Sequence, residues 1–466
     1  MTRRPRRGLY LRLERLDDRC LPATLVPAQI LHAYGLDHLQ LSNSAGTVAG
    51  DGTGQTIAIV VAQHDPYLKA DLAEFDRTYG LPDSELLQIY APGTATDDGW
   101  ASEETLDVEY AHAVAPAAKI VVVEAKSSDT SSMISAIDTA RNYPGVSVVS
   151  MSWGVSEPGN ERALDYHFMT PTGHTGVTFV AAAGDSSASG GAEWPSTSPY
   201  VLAVGGTRLQ VDGLGNYQNE TAWGSSGGGY SVLEPAPSYQ KGFNSKRVRS
   251  VPDVAALASM SSAVNVLTTT PSDGQQTWWQ IGGTSVGTPI WAGIVAIVNQ
   301  GRAVQGRGTL DGASQTMPAI YAMPPSAFHD VTSGSNGFSA KAGYDLVTGR
   351  GSPNGPVLVS GLTAWTGVAP LTHTPTPARK TVPAKKVKKK DVAAPLELVI
   401  STADLAEHGQ AGRPGLSVQQ RTKSGPLSQG PATWGFRHVG GMGRLTTVGT
   451  LRQAGSGTIF RSPERQ

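Results

Sequence analysis

The sequence predicts an α/β protein with a doubly wound, mostly parallel sheet that helices cover on both faces. Short runs of consecutive apolar residues recur along the chain, and helical stretches separate several of them. Continuous rather than alternating apolar runs are typical of parallel strands that are buried on both faces. In a fold of this class, the functional site is expected outside the carboxyl ends of the strands.

The predicted elements begin after Gly52. The apolar runs that read as strands are Thr56–Ala62, Lys119–Glu124, Val146–Ser152, Val177–Ala183, Tyr200–Val204 and Trp278–Ile281. Helices are predicted at Leu68–Tyr79, at Ala101–Val114 and from Pro289 to about Gln300, where apolar residues recur at helical spacing. The alternation of strands and helices favours parallel pairing.

A net charge of −1 conceals three segments of different charge. Residues 31–365 carry 15 Lys and Arg against 30 Asp and Glu, whereas residues 1–30 and 366–466 are both basic. An acidic body with few basic residues stays modestly charged as its carboxylates protonate, which suits acid conditions. No run of about 18 apolar residues occurs, so no transmembrane segment is predicted. The lone Cys20 excludes an internal disulfide.

Both ends differ in composition from the body. Residues 1–27 form an Arg-rich segment whose Leu-Glu-Arg-Leu-Asp-Asp-Arg-Cys-Leu-Pro string resembles a leader of exported bacterial proteins. Residues 366–394 read as a Pro-, Thr- and Lys-rich linker, and residues 395–466 as a disordered, basic tail of low order. We expect a secreted or cell-surface monomer without a specific nucleic-acid partner. Its Lys385–Lys390 cluster either contacts anionic surfaces or is simply solvated.

A serine stands where the last apolar run turns into a helix. Gly282 and Gly283 permit backbone angles that other residues avoid, and Pro289 suits a first helical turn. Unpaired N–H groups at the start of a helix favour developing negative charge, so Ser285 is a candidate nucleophile. The alternative is that Thr284 or Ser285 only caps the helix.

Two places in the chain offer carboxylate partners for this serine. Glu103 and Asp107 are four residues apart on a predicted helix, which places them side by side on one face. Neighbouring carboxylates tend to share a proton, which raises one pKa and suits proton transfer. Asp185 follows a predicted strand through Gly184. The alternatives are a solvated acidic turn for the pair and a turn-forming role for Asp185.

Histidine is the usual base in a serine hydrolase, but the histidines here are badly placed for that role. No histidine precedes a Gly-Thr pair, as the base of a subtilisin-like enzyme would. His64 is followed by Asp65, and adjacent side chains point in different directions. His112 lies beyond the carboxylate pair on the same predicted helix. A carboxylate base is therefore favoured over a histidine-based triad.

Taken together, these motifs resemble the sedolisin family of serine-carboxyl peptidases, which have a subtilisin-like fold with glutamate in place of the histidine base. The resemblance covers residues 28–365 as one peptidase domain. The motifs that carry it, in chain order, are Glu103-Glu104-Thr105-Leu106-Asp107, Ser150-Met151-Ser152-Trp153-Gly154, Ala182-Ala183-Gly184-Asp185-Ser186, Gly227-Gly228-Gly229-Tyr230-Ser231, Val251-Pro252-Asp253-Val254 and Gly283-Thr284-Ser285 with Pro289.

The resemblance implies an acid-acting serine endopeptidase. Ser285 would attack the peptide carbonyl, Glu103 would act as general base, and Asp107 would orient Glu103. Asp185 would be protonated and would donate a hydrogen bond in the oxyanion hole. The segment Ser152-Trp153-Gly154 would pair with an extended polypeptide substrate, although core packing is an equal alternative for Trp153. A tripeptidyl exopeptidase and a catalytically silent peptide-binding protein are the other possibilities.

The resemblance also implies one calcium ion. Its ligands would be the carboxylates of Asp330 and Asp345 with the backbone carbonyls of Val331, Lys341 and Gly343, all hard oxygen donors. Lys341 stands where the family usually has glycine, which matters only if that position needs glycine backbone angles.

The sequence departs from the family in three further respects. Some members have an additional glutamate after the first strand, but Val60–His64 contains no carboxylate, so the proton relay is expected to be shorter. Many members carry an amino-terminal propeptide of well over a hundred residues, whereas 27 residues precede Ala28. Either no such propeptide is used or it was lost, and the expectation is that pH alone holds off premature activity. Gly282 also replaces a serine of the family motif, without an expected effect on the chemistry.

Overall fold

The structure, a computed structural model, describes residues 24–367 and five short strands between residues 397 and 459. The expected leader lies outside the described residues except for its last four positions. The expected linker, from residue 368 onward, and most of the expected tail also lie outside them. No helix among the described residues has the length and apolar character needed to cross a membrane.

The described part of the chain alternates helices and strands. The α-helices are α1 Pro27–Ala33, α2 Leu68–Tyr79, α3 Asp98–Val114, α4 Thr130–Asn142, α5 Ser187–Gly190, α6 Thr284–Val304, α7 Met317–Ala322 and α8 Gly355–Ala364. The strands up to residue 367 are β1 Gln40–Asn43, β2 Gly46–Ala49, β3 Thr56–Ala62, β4 Leu86–Tyr90, β5 Lys119–Ala125, β6 Val146–Met151, β7 Val155–Ser156, β8 Thr178–Ala182, β9 Glu193–Trp194, β10 Val201–Val211, β11 Tyr217–Ala222, β12 Gly229–Pro235, β13 Val248–Val251, β14 Val254–Leu257, β15 Val264–Thr269, β16 Gln276–Gly282, β17 Phe328–His329 and β18 Ser352–Pro353. The later strands are β19 Glu397–Ser401, β20 Ser417–Arg421, β21 Gly435–His438, β22 Arg452–Gln453 and β23 Thr458–Ile459.

An eight-stranded sheet forms the centre of the fold. Its order is β11-β10-β8-β6-β3-β5-β4, and β14 also pairs with β10. All neighbours are parallel except β10 and β11. Because the strands are parallel, their carboxyl ends meet at one edge, and the turns after β6 and β8 lie there together.

Successive residues of the central strands point into two different hydrophobic cores. In β3, Ile57, Ile59 and Val61 face the core that contains α2, α3, α6 and α8. The alternate residues Ala58 and Val60 face the core that contains α4. This division is the period of two that a strand imposes, and it explains why the strand sequence is apolar throughout. The predicted doubly wound architecture with helices on both faces is confirmed.

Helix α6 begins earlier than the sequence predicts. It starts at Thr284, not at Pro289, so Pro289 lies inside the helix. The expected start is wrong because a proline near the amino end interrupts only one hydrogen bond, the one to the carbonyl four residues earlier. The thirteen residues from Thr284 to Ala296 are all buried, which stabilises the helix by packing despite the proline.

Helix α3 is buried on every side from Ala101 onward. Asp97 caps it, and its carboxylate accepts hydrogen bonds from the amides of Gly99 and Trp100, both at 3.0 Å. The helix packs between the sheet, α6 and α2, so the carboxylates that it carries are removed from water. The predicted Ala101–Val114 helix is confirmed, with a start three residues earlier.

Candidate active site

The predicted catalytic residues meet at the carboxyl edge of the central sheet. Ser152 follows β6, Asp185 follows β8, and Ser285 is the second residue of α6. Glu103 lies on α3, which packs against α6. These residues come from four separate parts of the chain, and all four are at least 90% shielded from solvent.

Ser285 occupies a position that the glycine before Thr284 makes possible. Gly283 has a φ of 146°, and its amide donates to the carbonyl of Ala258 at 2.7 Å. The Ser285 hydroxyl donates to the carbonyl of Ser152 at 3.4 Å, which is a long hydrogen bond. Since the first amides of a helix lack intrahelical partners, this serine lies in a locally positive field.

Pro289 links the helix to the segment that follows β6. Without an N–H group, Pro289 cannot bond to the carbonyl of Ser285, four residues earlier. The hydroxyl of Ser152 lies 3.5 Å from that carbonyl oxygen. The proline therefore leaves an acceptor for Ser152 directly beside the candidate nucleophile.

Glu103 and Asp107 form a buried carboxylate pair next to Ser285. Burial, and then the charge of Asp107, raise the pKa of Glu103 well above its usual value, while the nearby Ser285 hydroxyl opposes this rise. Neither carboxylate oxygen of Glu103 has a hydrogen bond of regular geometry within the described residues. Catalytic hydrogen bonds are often long before substrate binds, so the absence of a regular hydrogen bond to Glu103 is compatible with a role in proton transfer.

Asp107 is held from one side. Its Oδ1 accepts a 2.5 Å hydrogen bond from the Ser152 hydroxyl, and its Oδ2 has no partner among the described residues. Burial raises the pKa of Asp107 well above its usual value, and the Ser152 bond lowers it. Glu103 and Asp107 are both buried, and the charge of one disfavours ionisation of the other. Such a pair shares protons, because ionisation of both carboxyls would cost much free energy.

The two carboxyl oxygens of Asp185 differ in their contacts. Its Oδ1 accepts from both the amide and the hydroxyl of Thr284, each at 2.8 Å. Its Oδ2 is buried without a partner among the described residues. Burial raises the pKa of Asp185 to about 7, so the carboxyl is protonated in acid. Because Oδ1 is already an acceptor, the proton belongs on Oδ2.

The predicted substrate-binding segment follows β6 directly. Trp153 is buried, and its indole donates to the carbonyl of Val60 at 3.0 Å, so its side chain packs in the core. Gly154 has no side chain, and the carboxylate of Glu193 fills the space where one would stand. A Cβ on Gly184, before Asp185, would lie 2.6 Å from the same carboxylate oxygen. Glu193 thus lies between two segments of the site.

The two histidines considered as alternative bases lie elsewhere. His64 Nδ1 lies 2.6 Å from Glu124 Oε2, and its ring stacks on Tyr90. His112 Nε2 lies 2.8 Å from the carbonyl of Pro82, between α3 and the loop after α2. Neither ring bonds to Ser285, which agrees with the preference for a carboxylate base.

The sequence and the structure of this chain were compared with those of known proteins, and the matches include the candidate active site. Residues 90–311 match the Subtilase family. Kumamolisin of Bacillus sp. (strain MN-32) is 36% identical over 353 residues, which are 67% of this chain and 60% of kumamolisin. The structure of Pseudomonas sedolisin, described as a serine-carboxyl proteinase, matches with a TM-score of 0.63 and 25% identity, over 72% of this chain and 97% of that one. This chain belongs to the sedolisin family.

Other sedolisin-family relatives match over shorter regions. Human tripeptidyl-peptidase 1 is 33% identical over 223 residues, which are 40% of this chain and 37% of that protein. The match with kumamolisin spans 60% of that protein's length, and the match with the sedolisin sequence of Pseudomonas sp. (strain 101) spans 39%.

In the loop expected to bind calcium in this sedolisin-family chain, both aspartates accept hydrogen bonds from amides of residues 341–343. Asp330 accepts from the amide of Gly343 at 3.0 Å, and Asp345 accepts from the amide of Lys341 at 3.0 Å. Gly343 has a φ of 79°, whereas Lys341 is not among the residues with positive φ. Lysine is therefore compatible with the backbone at its position. The expected ligands are all hard oxygens, the type that calcium prefers, and the described residues contain no group of three or more His, Cys, Asp or Glu side chains that could hold a metal ion.

Sequence reasoning missed two features of this sedolisin-family site. It assigned Ser152 only to substrate pairing, although the hydroxyl also holds Asp107. It assigned no role to Glu193, which lies between Gly154 and Gly184. The Ser150–Gly154 motif includes Ser152, so a role for its hydroxyl could have been considered from the sequence. The position of Glu193 depends on the pairing of β7 with β9, which no local sequence pattern indicates.

Proposed function

We propose that this protein is an acid-acting serine-carboxyl endopeptidase that cleaves extended or unfolded polypeptides. The observation that carries the proposal is the buried group of Ser285, Glu103, Asp107 and Asp185, in which three carboxyls retain oxygens without partners. A buried polar atom without a partner destabilises a fold, so its retention in a site is explained by a role in chemistry.

The proposed reaction begins with proton transfer from the Ser285 hydroxyl to Glu103 as the oxygen attacks the peptide carbonyl. Glu103 then gives that proton to the leaving amine, and water repeats the sequence to release the acyl group. Asp107 shares protons with Glu103 and thereby tunes its basicity. Ser152 positions Asp107 through the 2.5 Å hydrogen bond.

Asp185 supplies the oxyanion stabilisation in this proposal. As the carbonyl carbon becomes tetrahedral, its oxygen gains negative charge, and a neutral carboxyl can donate to it. The donor would be Oδ2, since Thr284 occupies Oδ1 twice. With a pKa of about 7, Asp185 loses this proton as the pH rises to neutral. The proposed activity is therefore confined to acid.

An extended polypeptide fits the segment that leads from β6 into β7. Backbone groups of Ser152–Gly154 would pair with the substrate as a neighbouring strand does. We also propose that the protein acts as a monomer outside the cell, where acidic surroundings occur. A tripeptidyl exopeptidase is the second candidate, because the matched human relative carries the name tripeptidyl-peptidase 1.

We propose one bound calcium ion in the loop that contains Asp330 and Asp345. These carboxylates and the carbonyls of Val331, Lys341 and Gly343 would hold it, and the ion would stabilise the loop rather than take part in proton transfer. Burial raises the pKa of Asp345, and hydrogen bonds from Thr348, Lys341 and Val347 oppose that rise. A cation would favour the ionised form further.

The test of the proposed function is hydrolysis of a quenched, amino-blocked peptide and of denatured casein from about pH 2.5 to 8. We expect wild-type activity only in acid, with Ser285→Ala and Glu103→Gln both inactive. A blocked amino terminus excludes the exopeptidase mode, so cleavage of the free but not the blocked peptide would favour the tripeptidyl alternative. Activity at neutral pH that survives Glu103→Gln would contradict the proposal, and binding of peptide without hydrolysis would support a silent binding protein.

A further inference from the structure

A strand from the basic tail pairs with the strand that leads into the candidate active site. Strand β16 ends at Gly282, and Ser285 follows three residues later. One edge of β16 pairs with β15, and the other edge pairs antiparallel with the tail strand β21. In the second pairing Gly282 lies opposite Gly435, and Trp279 lies opposite His438. The end of β21 nearest to the candidate nucleophile is therefore its first residue.

Strand β21 lies within the reach of a substrate bound at Ser285. Two Cα atoms three residues apart in a chain are at most about 11 Å apart, and opposite Cα atoms of an antiparallel pair are about 5 Å apart. An extended polypeptide covers that total distance with about five residues. The part of a substrate that follows the attacked carbonyl is therefore long enough to meet the edge of β16.

The direction of β21 is that of the leaving side of a substrate, the part that follows the attacked carbonyl. Because β21 is antiparallel to β16, its chain runs from Gly435 away from Ser285. The leaving side of a substrate likewise runs, from amino to carboxyl end, away from the residue that attacks it. The segment Ser152–Gly154 is proposed to bind the part before the attacked carbonyl. The edge of β16 offers a second backbone surface for the part after it.

The contact between β16 and β21 is of a kind that another extended chain can replace. An edge strand presents a row of N–H and C=O groups that pair with any extended segment of suitable length. Strand β21 pairs with β16 through four residues, and so short a ladder is only marginally stable by itself. A polypeptide substrate carries the same backbone groups, so it can displace β21.

Charge and chain connection both favour docking of the tail before substrate arrives. Residues 366–466 carry 15 Lys and Arg against 5 Asp and Glu, whereas residues 31–365 carry 15 against 30. Opposite net charges attract, and salt screens the attraction. Since β21 and β16 belong to one chain, the effective concentration of β21 at this edge exceeds that of a dilute substrate.

We propose that β21 is an internal inhibitor that occupies the edge of β16 and competes with the leaving side of a polypeptide substrate. This inference rests on the proposed peptidase function and adds a means of regulation to it. Substrate and β21 exclude each other at the same edge. The tail therefore raises KM in proportion to the occupied fraction of the edge and leaves kcat unchanged.

A disulfide across the ladder tests the contact and its effect together. Gln280 lies opposite Arg437, and opposite Cα atoms of an antiparallel pair are about 4.5–5.5 Å apart, a distance that a disulfide can bridge. Gln280→Cys and Arg437→Cys are combined with Cys20→Ser, so that no other cysteine remains. The assay uses a blocked, quenched peptide with at least about five residues after the attacked carbonyl.

We expect the disulfide to form under mild oxidation and to lower kcat/KM about tenfold or more, with recovery on reduction. The control combines Gln280→Cys with Arg452→Cys, whose second cysteine lies in β22, and it should form no disulfide. Strand β22 pairs with β23. Absence of the disulfide between residues 280 and 437, or full activity of the oxidised protein, would overturn the inference.

Proline substitutions release β21 without a crosslink. Proline lacks the N–H group that a ladder needs, and alternate residues of a strand face a given partner. Phe436→Pro and Arg437→Pro are therefore both made in the full chain, because one of the two removes a hydrogen bond to β16. We expect that variant to lower KM about threefold or more with kcat unchanged. Arg452→Pro is the matched control and should change neither constant, and a KM equal to that of wild type in both β21 variants would contradict the inference.

Binding measurements decide the inference even if no peptide is hydrolysed. Absence of turnover in every form, reduced and oxidised, would reject the proposed function by itself. Calorimetric titration with the blocked peptide then uses Ser285→Ala added to the cysteine pair. Weaker peptide binding in the oxidised than in the reduced protein supports competition at the edge of β16, and equal binding in the two forms refutes it.

Discussion

Two sets of buried carboxylates flank helix α3, and they differ in how their oxygens are satisfied. Glu103 and Asp107 face Ser285, and both Glu103 oxygens lack regular hydrogen-bond partners in the described structure. Glu104, the next residue, lies on the other side with Glu124 and Asp65. There, Gln88 Nε2 donates to Glu124 at 2.7 Å and to Glu104 at 3.4 Å. Burial alone therefore does not distinguish a catalytic carboxylate.

The second set is supported by further contacts. His64 lies 2.6 Å from Glu124 Oε2, while Asp65 accepts from the amide of Tyr67 at 2.8 Å and from the Thr105 hydroxyl at 3.2 Å. Burial, and then the charges of Glu124 and Asp65, raise the pKa of Glu104 well above its usual value. Raised pKa values thus occur on both sides of the helix. Only the first set combines them with free oxygens and a nearby nucleophile.

Exchange of the two neighbouring glutamates for glutamine gives the largest expected effect. Glu103→Gln removes the proposed base, so kcat/KM should fall by about 10³-fold or more. Glu104→Gln keeps a hydrogen-bonding side chain of the same shape on the side of the helix away from Ser285, so activity should change less than about threefold. Steady-state hydrolysis of the blocked peptide by both variants measures the difference.

The comparison needs folded proteins. Thermal unfolding and circular dichroism of Glu103→Gln and Glu104→Gln in acid should match wild type within a few degrees, because each substitution preserves shape. Similar losses of activity in both variants would remove the distinction between the two sets, and Glu104 would then belong to the proton relay.

The sequence predicted the catalytic set because its members stand at the ends of apolar runs or one turn apart on a helix. Glu103 and Asp107 are four residues apart, and Asp185 follows a strand through a glycine. Such relations are local, so periodicity reveals them. The sheet was predictable for the same reason, since β3 and α2 have the predicted ends.

The remaining features depend on tertiary contacts. An acidic stretch at the start of a helix usually lies in water, and Glu104 is buried only because α3 is enclosed by the sheet and two helices. Glu193 approaches Gly154, which lies 39 residues earlier in the chain, through the β7–β9 pair. The start of α6 was misplaced because a proline can lie inside a helix whose packing offsets one lost hydrogen bond.

A second way to sharpen the comparison is the dependence of stability on pH. Burial raises the pKa of Asp65 to about 7, above its value in an unfolded chain. The folded state therefore binds this proton more tightly, and its contribution to stability is present below about pH 4 and lost as the pH rises through about 7. A shift of this size corresponds to at most about 4 kcal/mol. We expect wild type to unfold more readily at pH 7.5 than at pH 4.5.

The matched variant for this effect is Asp65→Asn, which cannot ionise. Its free energy of unfolding by urea should decline less between pH 4.5 and pH 7.5 than that of wild type. Asp273→Asn, in an exposed loop, should leave the pH dependence unchanged. A steeper decline in Asp65→Asn than in wild type would contradict the proposed protonation of the second set in acid.

The calcium loop extends the comparison to carboxylates that backbone amides satisfy, and it has the smallest expected effect. Asp345 accepts from the amides of Lys341, Val347 and Thr348, so its role is to hold a loop rather than to move protons. Saturating calcium at about 100 times its Kd would stabilise the folded state by about 2.7 kcal/mol, or about 5 °C in Tm. Removal with EGTA should lower Tm by that amount, and calorimetric titration with CaCl₂ should detect one site that Asp330→Asn weakens. Because no loop carboxylate contacts Ser285, the shape of the pH–activity profile should not change at temperatures where the protein stays folded. If neither calcium nor EGTA changes Tm, the proposed calcium site is wrong. The hydrogen bonds from backbone amides would then stabilise the loop without an ion.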